Sequence, residues 1–243
     1  MKPSNDTNSL GQPIGQPVPG WRTPPRPARA TMTGRHCRLE PLSVERHARQ
    51  LYEANSSDQD GRMWTYLPYG PFAGFDEYCR WLEPASRSDD PLYFAIIDLR
   101  TQTATGVASY LRIDPGSGSI EVGHIALSPA LQRTTAFTEA MFLMMRWAFS
   151  CGYRRYEWKC NALNQASRRA ALRLGLSYEG VFRQSGIVKG RNRDTAWYAA
   201  IDAEWPALEQ SFVRWLDPGN FDASGRQRIS LAALTDPLLV ARG

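Results

Sequence analysis

A strand that breaks into a polar loop and then opens a long apolar helix constrains this chain more than any other stretch. Ile120-Glu121-Val122-Gly123-His124-Ile125-Ala126-Leu127 reads as the strand, Ser128-Pro129 stops it, and Leu131-Gln132-Arg133-Thr134-Thr135-Ala136-Phe137 leads into the helix. Over residues 135–150, Ala136, Ala140, Leu143, Met144 and Trp147 share one face and Phe137, Met141, Met145 and Phe149 another, the pattern of a helix sunk in a core. The N–H groups of such a loop and first turn have no intrahelical partner, and the helix dipole favours negative charge there. Arg133, Thr134 and Thr135 add a cation and two hydroxyl donors. A pyrophosphate is the guest this cradle fits.

The rest of the pattern points to an α+β chain. Residues 1–33 are rich in Pro, Gly, Asn and Ser and read as an N-terminal arm; Trp21, Ile14 and Val18 could dock part of it. From Cys37 to Leu42 the sequence alternates like a strand, and Ser43 caps a helix reaching about residue 54. An aromatic loop over 61–74 precedes an amphipathic helix over 75–85, with Tyr78, Trp81 and Leu82 inward. Strands are expected at 92–98, 105–113 and 119–127, the last two joined by Asp114-Pro115-Gly116-Ser117-Gly118. After the apolar helix come a strand over 155–160, a helix over 164–174 ending at Gly175, strands over 178–189 and 195–203 joined by a loop at 190–194, and a helix over 204–216. The remainder reads as a polar tail with one apolar patch. The order gives a mixed, mostly antiparallel sheet of six to seven strands, with helices on both faces and a splayed central strand pair. The expected units are the arm (1–33), a main domain (34–205) and a C-terminal helix and tail (206–243).

A second strand-to-helix junction lies at Lys159-Cys160-Asn161-Ala162-Leu163-Asn164-Gln165-Ala166-Ser167, where Asn164 sits as a helix cap. Two adjacent strands that both end in a polar helix start can splay and leave backbone groups free for an extended ligand. Glu121-Val122-Gly123-His124-Ile125 before the loop, Asn164-x-x-Ser167, and Arg173-Leu174-Gly175-Leu176 followed by Glu179-Gly180 together resemble the GCN5-related N-acetyltransferase superfamily over about residues 35–203. Within it, the chain looks most like the branch that acetylates ribosomal-protein N-termini. The resemblance implies acetyl-CoA as cosubstrate, with Gln132, Arg133, Thr134, Thr135, Ala136 and Phe137 binding the pyrophosphate. It also implies Ile125, Ala126 and Leu127 pairing with the pantetheine arm, and Asn164 contacting that arm. The family has glycine where Thr135 stands and glycine or alanine where Phe137 stands, so both side chains are expected to point away, with Arg133 compensating.

Acetyl transfer needs a neutral amine, a polarised carbonyl and a proton for the leaving thiolate. The tyrosine that relatives place seven residues after the Asn is Ala171 here; by resemblance Ser167 takes the acid's place, unless it only satisfies the helix start. A Glu of some relatives aligns with Gly186. Glu121 is the candidate base, on one strand face with Gly123 and Ile125, or else an exposed strand carboxylate. His124 falls on the opposite face and reads as a packed core histidine, and Asp194 as a turn former. Trp64, Tyr66 and Tyr69 stand where the family places its acceptor pocket; a local mini-core is the alternative.

Composition limits what else the chain can be. A net charge of +5 with scattered Lys and Arg suits an anionic ligand and argues against a nucleic-acid footprint. Cys37, Cys79, Cys151 and Cys160 are far apart without a C-x-x-C pair, which implies reduced thiols, no metal site and a cytoplasmic location. Cys160 alone falls near the cleft, so direct transfer in a ternary complex is expected. No apolar run is long enough for a membrane span, and a signal-peptide core is lacking. The expected activity is acetyl transfer to a primary amine, of a protein N-terminus or a small molecule, with a homodimer allowed. A non-catalytic acyl-CoA-binding or regulatory protein on the same fold is the alternative, and Ala171 and Gly186 speak for it.

Overall fold

The computed structural model describes residues 6–243. Two short strands, β1 (Asp6–Thr7) and β2 (Pro13–Ile14), pair with each other. The remaining strands form one eight-stranded sheet: β3 (Met32–Thr33), β4 (Cys37–Pro41), β5 (Leu92–Asp98), β6 (Thr103–Asp114), β7 (Ser119–Leu127), β8 (Arg155–Asn161), β9 (Ser177–Val188) and β10 (Arg191–Ile201). Their order is β3-β4-β5-β6-β7-β8-β10-β9, and only β7 and β8 run parallel. The strand beyond the expected count is β3, two residues of the arm paired to Arg38 and Leu39.

Helices α1 (Val44–Ser56) and α2 (Phe75–Arg87) cover one face; α3 (Thr135–Ser150), α4 (Gln165–Arg173), α5 (Trp205–Leu216) and α6 (Leu231–Thr235) lie on the other side. Ser43 caps α1 as its sequence implies, accepting from the Arg46 N–H. Twelve of the residues of α3 are buried, which is why its sequence is apolar almost all round. Alternation in β8 sends Tyr156, Trp158 and Cys160 into the α3-side core and leaves Arg155, Glu157 and Lys159 on the α1/α2 face.

The arm is tied to the body: Tyr153 Oη donates to the Pro25 carbonyl at 3.0 Å, Arg26 to the Ile113 carbonyl at 3.0 Å, and Arg29 to the Ser86 and Ser88 carbonyls. Glu139 of α3, 5% exposed, accepts N–H bonds from Arg35 (2.8 Å), His36 (2.5 Å) and Cys37 (2.9 Å), fastening the helix to the start of β4.

Two sequence expectations change. The segment 190–194 is no loop: β9 and β10 turn through Lys189 (φ +50°) and Gly190 (φ +70°), a two-residue hairpin whose twist suits the strands. Asp194 therefore lies inside β10, at a register shift between Arg193 and Thr195. The C-terminal remainder is also packed rather than trailing. Leu231 is fully buried, Asn220 bonds the Trp215 and Ile229 carbonyls, and Tyr178 N–H donates to the Ala241 carbonyl. Among the described residues, no helix is long and apolar enough to cross a membrane.

Candidate active site

The β7–β8 ladder runs from Ser119↔Arg155 to Val122↔Trp158 and stops. Beyond it, β7 stays with β6 (Ala126↔Val107, Leu127↔Gly106) and β8 with β10 (Cys160↔Ala196, Asn161↔Thr195). The facing edges of residues 123–127 and 159–161 thus border an open wedge, whose unpaired backbone groups can take an added extended segment. Ile125, Ala126 and Leu127 lie on that edge.

A bulge re-aims the β7 side chains. Between Ser109↔Gly123 and Val107↔Ala126, one residue of β6 faces two of β7, and His124 adopts φ +49°. Ile120 and Val122 pack under α3, so Glu121 and Gly123 face the α1/α2 side. After the extra residue, Ile125 and Leu127 pack against the α3-side core, while His124 and Ala126 face the α1/α2 side. Glu121 and His124 therefore open to the same side, contrary to simple alternation, and Ile125 does not share their face. Both line a cavity of about 270 Å³ at the mouth of the wedge, together with Tyr66, Cys160, Asn164 and Ser167.

Glu121 is 3% exposed; its Oε2 accepts from Arg112 Nη1 at 2.7 Å and Lys159 Nζ at 3.0 Å. Burial pushes its carboxyl above the ordinary range, against the pull of both cations. Lys159 also pairs with Glu157 at 2.7 Å and lies 3.7 Å from the Trp197 ring centre. Burial, with the charges of Arg112 and Arg193, depresses His124 to about 4, leaving the imidazole neutral. His124 Nδ1 is buried without a hydrogen-bond partner, while the ring stacks on Tyr69 at 5.7 Å.

At the second junction Asn164 caps α4, its Oδ1 accepting the Ser167 N–H at 3.1 Å. The Asn164 side chain is engaged in this cap. Ser167 Oγ accepts from Trp158 Nε1 at 2.9 Å, so the serine both satisfies the helix start through its backbone and presents its hydroxyl to the cavity. Burial pushes the Cys160 thiol up, against a hydrogen bond with Ser167, so the sulfur stays protonated at neutral pH.

At the first junction, Thr134 caps α3 by accepting the Phe137 N–H at 3.2 Å, and Gln132 Nε2 donates to the Leu127 carbonyl at 3.1 Å. Arg133 takes φ +61°, where a glycine would sit with less strain. The Arg133, Thr135 and Ala136 amides have no acceptor among the described residues; those of Gln132, Thr134 and Phe137 are used within the loop and cap. They border a second cavity of about 500 Å³ that also includes Arg35 and Arg100. Asp98 lines the same cavity and pairs with Arg100 at 3.6 Å, so Arg133, Arg35, the free amides and the helix start are what fit a pyrophosphate. Phe137 is turned into the core, as expected; Thr135, at the first position of α3, instead lines the cavity.

The aromatic loop divides. Trp64 is 6% exposed against Phe72 (5.3 Å, edge-on) and Tyr69 lies between Trp81 and His124, so these two build a mini-core rather than an acceptor wall. Tyr66 alone of the three lines the cavity, its hydroxyl donating to the Leu163 carbonyl at 3.3 Å. Sequence reasoning missed Arg112, Lys159 and Arg193, because scattered basic residues carry no motif; the alternation of Glu157 and Lys159 opposite Glu121 was the available signal for one of them.

The model of the acetyltransferase (GNAT) domain matches residues 36–177. The chain belongs to this family. A GCN5-related N-acetyltransferase from Brucella melitensis is 46% identical, with 90% of this chain and all of that one covered at a TM-score of 0.88. A probable GNAT-family acetyltransferase from Chromobacterium violaceum is 38% identical, covering 81% of this chain and 98% of that one at a TM-score of 0.75. More distant is a ribosomal L7/L12 α-N-protein acetyltransferase in complex with CoA, 19% identical over 71% of this chain and 98% of its own, TM-score 0.60, a likeness of fold alone. No curated protein matches the chain significantly. As a GNAT acetyltransferase, the chain carries the splayed sheet of its family and places its titratable groups at the splay.

Proposed function

We propose that this GNAT acetyltransferase moves an acetyl group from acetyl-CoA to a primary amine by direct transfer in a ternary complex. The observation that carries the reading is the wedge itself. It runs from free amides and arginines at α3, along the open β7 edge, to a cavity holding Glu121, His124 and Ser167. Acetyl-CoA, when bound, supplies an activated thioester; the rest is done by side chains. The β7 edge at Ile125–Leu127 positions the arm, and Arg133 with the α3 amides holds the phosphates. Glu121, directly or through one water, takes the proton that the amine nitrogen loses as its bond to the acetyl carbon forms. Ser167, its oxygen held by Trp158, donates its proton to the sulfur as the carbon–sulfur bond breaks and regains one through solvent as Glu121 releases the proton it took. The protonated Cys160 supports direct transfer over a covalent acyl-enzyme.

The alternative, an acyl-CoA-binding protein without catalysis, is favoured by the ion pairs that already engage Glu121. Thiol release with a panel of amines separates the two. Glu121→Gln and Ser167→Ala should each lower kcat by about a hundredfold or more, with CoA affinity retained. Tight CoA binding with no amine-stimulated release, in wild type and variants alike, contradicts the enzyme reading. The acceptor, whether a protein N-terminus as in the ribosomal branch or a small molecule, belongs to the same proposal.

A further inference from the structure

The cavity at the wedge carries more positive charge than acetyl transfer uses. Among its lining side chains Arg112, Lys159 and Arg193 are cations and Glu121 is the lone carboxylate. Lys159 lies between Glu121 and Glu157, and Arg112 is bonded to Glu121. Arg193 differs: it has no ion pair among the described residues, and its Nε–H is buried without an acceptor. It shares the cavity wall with His124 of β7 and Cys160 of β8, one from each edge of the wedge.

The placement follows from the backbone. At the register shift opposite Arg193 and Thr195 the extra residues lie on β9, so β10 keeps its alternation and Asp194 shares a face with Asn192 rather than with Arg193. Asp194 spends its Oδ1 on the Gln184 N–H (2.7 Å) and on Asn192 Nδ2 (2.9 Å) and gives nothing to Arg193. Buried donors in folded proteins are paired, so an unpaired guanidinium N–H in a cleft awaits an acceptor that arrives from solution. A guanidinium fork matches a carboxylate or a phosphate. The second orphan of the same cavity, His124 Nδ1, belongs to a neutral ring that can accept a hydrogen bond from an amine. One cavity thus offers a donor set for an anion and an acceptor for an amine.

Two side-chain bonds tie the aromatic loop to the strands and loop beside the cavity. Tyr66 Oη bridges to the Leu163 carbonyl at 3.3 Å, and Lys189 Nζ reaches from the β9–β10 hairpin to the Trp64 carbonyl at 2.7 Å. With a volume of about 270 Å³, the space lies at the small end of ligand sites.

We propose that the acceptor is a small anionic amine, one bearing a carboxylate or a phosphate near its amino group, and that Arg193 binds the anion and sets this specificity. The inference rests on the acetyl-transfer reading above, but its test does not. Full-length protein saturated with CoA is titrated calorimetrically with β-alanine against β-alaninamide, phosphoethanolamine against ethanolamine, and a tripeptide beginning with Glu; thiol release from acetyl-CoA is measured with the same compounds. The member of at least one small pair that carries the carboxylate or phosphate should bind about tenfold or more tightly than its partner lacking it. Arg193→Gln should collapse that ratio toward one, and Arg193→Lys should restore part of it, with melting temperatures unchanged. The two pairs tell carboxylate from phosphate. Equal or tighter binding of the members lacking the anion, a ratio untouched by Arg193→Gln, no binding by any small amine, or tightest binding by the tripeptide overturns the inference. Arg193-dependent binding without thiol release would leave the anion site standing and overturn the transferase reading. Release as fast with neutral as with anionic amines would do the reverse.

Discussion

The two strand-to-helix junctions bordering the wedge share a plan and differ in what they leave open. At β7–α3, residues 128–134 form a long loop; Thr134 caps the helix, yet the Arg133, Thr135 and Ala136 amides remain unused beside Arg35 and Arg100. At β8–α4, residues 162–164 close at once, Asn164 takes the Ser167 N–H, and the helix start delivers a hydroxyl to the cavity. Identical topology therefore makes a cradle at one end and a positioned side chain at the other. The difference is one of loop length and cap, and under the proposed function it lets a single splay hold a long ligand by one end and work on the other.

The comparison can be strained first through the anchors of the two helices. α3 is fixed to the start of β4 by three N–H bonds gathered on the one carboxylate of Glu139, whereas the ties of α4 are spread over its length: the Asn164 cap, Trp158 to Ser167, Arg168 to Tyr198 and Arg173 to Thr138. Glu139→Ala orphans three donors and should cost roughly 3 kcal/mol or more in urea denaturation. A cost near zero would show that water replaces the carboxylate and that the anchor is not what holds α3.

His124, at the bulge that feeds the cradle, gives the next largest effect. Its folded value of about 4 lies below the ordinary histidine value near 6.5. Between those values the unfolded chain binds a proton that the folded chain does not, so stability is fully present above about pH 6.5 and is lost as pH falls toward 4. At most about 3 kcal/mol is involved. Denaturation midpoints of wild type and His124→Gln across that window should converge as the pH falls; parallel curves would place the imidazole in an ordinary environment.

Legibility from sequence followed the same divide. The strands 92–98 and 119–127 and the helix 135–150 stand where alternation and apolar period put them, because burial on one or both faces writes itself into every residue. What escaped was set by single backbone events. Nothing in the composition announces a bulge with His124 at positive φ, so its side chain was assigned to the wrong face. Lys189-Gly190 is a two-residue turn hidden in a polar run whose later residues belong to β10. Glu139 acts through partners distant in sequence and Arg193 through its place on the cavity wall, and neither sits in a local pattern. Trp64 and Tyr69 were visible as aromatics, but only packing tells a mini-core from a wall.

Smaller effects sharpen the contrast in electrostatics. Thr135→Glu places a carboxylate in the α3 cradle and should weaken CoA about tenfold. Gln165→Glu, the equivalent change at the start of α4, should leave CoA affinity within about twofold and stabilise the helix by some tenths of a kcal/mol. Calorimetry on both variants checks the pair, and equal losses would erase the distinction. Asn164→Ala should cost about 1 kcal/mol, the usual worth of a helix cap, read by thermal or urea denaturation.

In the proposed function the wedge and the α3 cradle hold CoA, while α4 presents its serine. Amide chemical shifts followed on titrating CoA into isotope-labelled protein test it most directly. The largest shifts should fall at Arg133, Thr135, Ala136 and the β7 edge from Ile125 to Leu127, with much smaller ones along Ala166–Arg169. Largest shifts at the start of α4, with the α3 amides unmoved, would contradict it.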